Sequence, residues 1–100
     1  MVSSGCREAD ERSLKCVVAV ASARALEEIA ALADRSIDIS DRQMVGRDAM
    51  VVYSSATAAE IRDALMPLLD AGASLVVVEF ERWSSYGAHV DTEWLLRRGH

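Results

Sequence analysis

The stretch from Ala49 to Trp83 constrains this chain most, because it holds a strand, a capped helix, a glycine stop and a second strand in direct succession. Met50 to Tyr53 is a short apolar run rich in β-branched residues, the mark of a buried strand. Thr57-Ala58-Ala59-Glu60 fits a capping box, in which the Thr57 hydroxyl accepts from the Glu60 amide and the Glu60 carboxylate reaches back to the Thr57 amide. Ala58, Ile61, Leu65, Leu68 and Leu69 follow at helical spacing and make one core-facing stripe. Pro67 removes a helical hydrogen bond and is expected to kink or loosen the last turn. Gly72 suits the left-handed position past a helix end. Leu75 to Val78 reads as a second buried strand, with Glu79-Phe80-Glu81 alternating as one face emerges into water. Links this short allow a right-handed crossover between parallel strands of one sheet.

The same plan occurs upstream. Leu14 to Ala21 is apolar except for Lys15 and suits a central strand. Ser22 can cap a helix running to about Asp34, with Leu26, Ile29, Ala30 and Ala33 buried and Arg24, Glu27 and Glu28 wet. Ser36 to Ser40 alternates as an exposed strand would, and Met44-Val45 is an equal candidate, so an edge strand is expected within Ile37 to Val45. Gly46-Arg47-Asp48 then makes a hairpin turn. After Trp83 comes a loop, and Asp91 is a good N-cap for a last helix from Thr92 to Arg98, where Arg97 and Arg98 oppose the helix dipole.

The expected fold is therefore α+β, a ferredoxin-like β-α-β-β-α-β arrangement with a short C-terminal helix. Its four-stranded antiparallel sheet should have strands one and three in the centre and helices on one face. Residues 1–13 read as a mobile leader, with a helix from Arg7 to Arg12 left open. Residues 14–83 form the ferredoxin-like domain, and residues 84–100 the C-terminal loop and helix.

A chain of 100 residues is one domain, and 51% hydrophobic content is ample for a core. The net charge of −5 argues against broad nucleic-acid binding, since phosphates need a positive surface. The longest apolar run, Cys16 to Ala21, is far too short to span a bilayer, and no signal-peptide core precedes it, so a cytoplasmic protein is expected. No disulfide is expected between Cys6 in the leader and Cys16 in a strand.

Thr57-Ala58-Ala59-Glu60-Ile61-Arg62-Asp63-Ala64-Leu65, then Leu68-Leu69-Asp70, Ser74-Leu75-Val76-Val77-Val78-Glu79, Trp83 and Trp94-Leu95 carry a resemblance. On these residues the second half resembles small bacterial proteins known as SinR-like, relatives of the ferredoxin-like subunit of the CRISPR adaptation complex. The resemblance implies dimers in which two sheets meet, with C-terminal segments helping to join them. The wider family's proposed metal-dependent nuclease activity uses an aspartate near the end of the first strand. Here that neighbourhood is Val18-Ala19-Val20-Ala21-Ser22, without an acidic residue, and magnesium needs hard oxygen ligands.

The remaining chemistry is sparse. His89 and Asp91 could do acid–base work, but a loop histidine beside a helix cap is the simpler reading. Cys6, Cys16, His89 and His100 lack zinc-site spacing. Ser54, Ser55, Ser84 and Ser85 read as turn and cap residues, and the five glycines form no phosphate loop. Glu79 and Glu81 share one strand face, which reads as solvated. Trp83, Tyr86 and Trp94 could stack on bases, but more often such residues seal a small core or anchor an interface.

The expectation is a non-catalytic homodimeric interaction or regulatory module, with no catalytic residue, metal or cofactor. Its interface is expected at Trp83, Tyr86, Trp94 and Leu95. A further protein partner is left open, and neither nucleic acid nor membrane is expected. The alternative is a metal-dependent nuclease or nucleic-acid-binding protein of the adaptation-subunit type.

Overall fold

A computed structural model describes residues 12–99. The chain is α+β: strand β1 (Ser13–Val20), helix α1 (Leu26–Ala33), strands β2 (Arg42–Met44) and β3 (Ala49–Ser54), helix α2 (Ala58–Leu65), strand β4 (Ser74–Phe80) and helix α3 (Thr92–Gly99). The four strands form one sheet in the order β2-β3-β1-β4, every neighbouring pair antiparallel. Strands β1 and β3 are central, and β2 and β4 are the edges.

Side chains alternate across a strand, so the register assigns each residue to a face. One face carries Val17 and Ala19 of β1, Met50 and Val52 of β3, and Leu75 and Val77 of β4. Leu26, Ile29, Ala30 and Ala33 of α1 and Ile61 and Leu65 of α2 pack on that face as one buried cluster, to which Ile39 also belongs. Both helices thus cover the same side, the inner face. The stripes expected from helical spacing are the ones buried, except that Ala58, Leu68 and Leu69 are only half-buried.

Thr57 caps α2 through a complete capping box, with its hydroxyl 3.1 Å from the Glu60 amide and its own amide 2.9 Å from the Glu60 carboxylate. Pro67 converts the end of α2 into a 3-10 turn over Met66–Leu68, because it cannot donate into the helical ladder. Gly72, at φ 89°, turns the chain toward β4.

Two local expectations change. Ser22 does not cap α1, which begins at Leu26 after Ala25 and has no side-chain cap. Ala21 stands at φ 61° directly after β1 and diverts the chain. The Ser22 hydroxyl is then spent on the carbonyl of Arg24 at 2.8 Å and on Asp70 at 3.3 Å. Ser36 to Ser40 is not a strand. Asp38 folds it back by accepting from the Ser40 hydroxyl at 2.9 Å, and Ile39 enters the core. The edge strand lies at Arg42–Met44, within the expected span. The leader's helix expectation lies outside the described residues except at Arg12, which is not helical, and β1 opens at Ser13.

Candidate interaction surface

The other face of the sheet, the outer face, carries Leu14, Cys16, Val18 and Val20 of β1, Val51 and Tyr53 of β3, and Val76, Val78 and Phe80 of β4. Its two ends differ. At one end α3 lies on the sheet, and Trp94 and Leu95 are buried with Leu14 and Val51. Tyr53, Phe80, Trp83, Val45 and Val90 complete that cluster, so four of the five aromatic residues gather there. Arg12 stacks over Tyr53 at 4.9 Å and Arg98 over Trp94 at 4.4 Å, each cation on a ring face.

The other end is bare. Val18 is 36% exposed, Val20 52%, Val76 52% and Val78 49%. These four valines sit on two neighbouring strands, with Val18 directly opposite Val76, and so form one continuous apolar stripe. Cys16, opposite Val78, marks the boundary between the ends; partial burial raises its thiol pKa above the ordinary value, which makes it a poor nucleophile. Cys6 and His100, the other half of the zinc and disulfide readings, lie outside the described residues.

Helix α3 is tied down at both ends. The Gln43 side chain donates to the carbonyl of Asp91 at 3.1 Å and accepts from its amide at 2.9 Å. Asp91 caps the helix, its carboxylate 3.2 Å from the Trp94 amide. At the far end Arg98 donates to both carboxylate oxygens of Asp41 at 2.9 Å each. The C-terminal helix therefore closes its own subunit. Of the four residues expected at an interface, Trp94 and Leu95 are interior at 9% and 4% exposure, Trp83 is half-buried, and Tyr86 stands 99% exposed on the loop before α3.

Lys15 is the one charged residue in the apolar run of β1. It lies on the inner face, 1% exposed, and its ammonium donates to the Ser54 carbonyl at 2.6 Å. Burial lowers its pKa, and the charges of Glu79 and Glu60 oppose that shift. Glu79 is its direct cross-strand neighbour and accepts from Ser13 at 2.8 Å. Ser54, also buried, donates to the Asp38 carbonyl and accepts from the Ala56 amide at 3.0 Å. Each member of this node has a partner, so it reads as an internal brace. The signal for it was present in the sequence as the one charge inside an apolar run.

The end of β1 carries no carboxylate of its own. Asp70, on the loop before β4, reaches across to accept from the Ala23 amide at 3.1 Å and from Ser22. Arg47 holds the same loop from the other side by donating to the Ser22 carbonyl at 3.0 Å and to that of Ala23. A shallow groove of about 670 Å³ runs between Ser36 and Pro67, with Asp38, Glu60 and Asp63 in its wall. Asp38 and Glu60 are already engaged with Ser40 and Thr57. Among the described residues no three His, Cys, Asp or Glu side chains converge as metal ligands would. No described helix is long and apolar enough to cross a membrane. His89 is exposed, two residues before the α3 cap. No protein family, curated protein or solved structure matches this chain.

Proposed function

We propose that this chain is a non-catalytic homodimeric interaction module, and that its contact lies at the bare valine end of the sheet, along β4 where Val76 and Val78 stand. The observation that carries the reading is the exposure of Val18, Val20, Val76 and Val78 side by side, next to an end where α3 covers equivalent positions. Water contact with four adjacent aliphatic side chains is unfavourable by about 25 cal/mol per Å². Large contiguous apolar patches on soluble domains mark contact sites. A chain of this size also has a small core and gains in proportion from further burial.

The same proposal includes the finer fold assignment. The element order up to β4, with β1 and β3 central and α1 and α2 on one face, supports a ferredoxin-like reading. The SinR-like resemblance, with its dimers of meeting sheets, agrees with a contact on the sheet. Tyr86 and Trp83 are the members of the expected interface that retain exposure to reach a neighbour.

Sedimentation velocity at micromolar concentration tests the module. A dimer is expected, and the double variant Val76→Glu/Val78→Glu should be a folded monomer with an unchanged circular dichroism spectrum. A wild type that is monomeric throughout, or a double variant that dimerises as well as wild type, overturns the reading.

A further inference from the structure

The two edges of the sheet are built differently. β2 is three residues long and carries Arg42, and short, charged edges resist pairing with another chain. β4 has seven residues, Ser-Leu-Val-Val-Val-Glu-Phe, with no proline, no glycine and no lysine. Its register against β1 runs without interruption from Phe80 opposite Leu14 to Ser74 opposite Val20, so no bulge twists it away. Among the described residues, no strand pairs with its outer side. A free strand edge presents a row of unpaired amides and carbonyls, and what satisfies such a row is another strand.

Resting on the homodimer reading above, we propose that two copies join by antiparallel pairing of β4 with β4 about Val77, giving one continuous eight-stranded sheet. The sequence of β4 suits this self-pairing. A two-fold axis through Val77 sets Val77 against itself, Val76 against Val78, Leu75 against Glu79 and Ser74 against Phe80, so all seven residues are used. Glu79 is the only charge in the strand, and in this register it faces Leu75 rather than its own copy. Like charges directly opposite one another would be destabilising, and this register avoids that clash while using the full strand. Because paired positions share a face, the outer-face valines of the two copies meet as Val76–Val78 pairs on either side of the axis. The alternative arrangement, two outer faces stacked on each other, would leave both β4 edges unpaired. Val77 would then stay on the inner face of each copy, away from the contact.

That difference decides the experiment. Val77→Cys is made in the full chain with Cys6→Ser and Cys16→Ser, and oxidised mildly. Directly opposed residues of an antiparallel pair have Cα atoms about 4.5 or 5.5 Å apart, and both separations fall within disulfide range. A disulfide-linked dimer is expected. Wild-type dimers by sedimentation, without this cross-link, overturn strand pairing and leave the homodimer standing; monomers overturn both. A second set of variants does not depend on the cysteine. Val76→Glu/Val78→Glu places glutamates opposite each other across the axis, whereas Val76→Lys/Val78→Glu places opposite charges there. The first should weaken the dimer by about tenfold or more and the second should restore it to within a few-fold of wild type. Equal weakening by both overturns the register.

Discussion

Gln43 and Asp91 are joined by two hydrogen bonds between one side-chain amide and one backbone unit, at 3.1 and 2.9 Å. The pair links an edge strand to the first residue before α3, and so fixes where the C-terminal helix starts on the sheet. With the Arg98–Asp41 pair at the other end, in which one Nε–H is shared by both carboxylate oxygens, it explains why Trp94 and Leu95 are interior residues. Gln43→Ala removes both bonds and leaves the Asp91 amide to water. The expected cost is about 1–2 kcal/mol, read in thermal or urea unfolding. Faster hydrogen exchange should be confined to α3, with more solvent-exposed tryptophan fluorescence. Unchanged exchange in α3 would show that the aromatic cluster alone holds the helix.

The capping box makes a second, local prediction. Thr57→Ala removes the acceptor for the Glu60 amide and should cost about 1 kcal/mol. Thr57→Ser keeps the hydroxyl and should retain most of the stability. If both variants unfold at the wild-type urea midpoint, the box contributes nothing.

Lys15 predicts a pH dependence. Its folded pKa is lowered from 10.5, chiefly by burial. Between the folded value and 10.5 the unfolded chain binds more protons than the native one, so the contribution of this group to stability rises with pH across that window. Lys15→Met removes the titration while filling similar space. The stability of wild type relative to Lys15→Met should therefore increase from neutral pH toward about pH 10. Lys15→Ala, which also opens a cavity and strips the Ser54 carbonyl of its donor, should cost about 2–4 kcal/mol. A flat difference between wild type and Lys15→Met across that range would mean that the ammonium is not perturbed by its site.

The elements were legible in sequence where one local rule dominated. The Thr57 capping box, the stop at Pro67 and Gly72, and the stripes Leu26-Ile29-Ala30-Ala33 and Ile61-Leu65 all state a period or a cap within a few residues. What stayed hidden depends on contacts distant in sequence. Ser22 has the chemistry of a cap, but Asp70, 48 residues away, competes for its hydroxyl. Ser36 to Ser40 alternates like a strand, but the Asp38 turn bends it before it can pair. Trp94 and Leu95 read as interface residues in the sequence, and it is the anchors Gln43 and Asp41, contributed by the second strand and the residue before it, that hold them in the core instead. The bare valine stripe was foreshadowed by the near absence of charge in the first and last strands. Its position was not, because it depends on how far along the sheet α3 reaches.

Ala21 predicts a gain of stability. It is the one described non-glycine residue with positive φ, at 61°, where a Cβ crowds the following carbonyl. Ala21→Gly relieves that crowding but gives the unfolded chain more freedom. The first effect is the larger, and a net stabilisation of about 1 kcal/mol is expected in urea unfolding. Ala21→Val should destabilise, because a β-branched side chain tolerates this region least. Stabilisation by valine would mean that the chain does not turn through the left-handed region here.

Asp70 predicts a loss of stability in acid. Its carboxyl sits below the ordinary value of 3.8 because its own backbone amide, then the Ala23 amide and the Ser22 hydroxyl, all donate to the charged form. A depressed folded pKa means that its contribution is complete above the unfolded value and disappears as pH falls through the folded one. Asp70→Asn keeps the shape and an acceptor oxygen but removes the charge. Wild type should therefore be the more stable of the two at pH 6, and the difference should shrink as pH falls below about 4 and through the folded value. The loop after β1 gives a second readout. Without the carboxylate, the amide of Ala23 should exchange faster, while Arg47 still holds the Ser22 carbonyl from the other side. A difference that persists unchanged at pH 2 would assign the stabilisation to packing of the Asp70 loop and not to its charge.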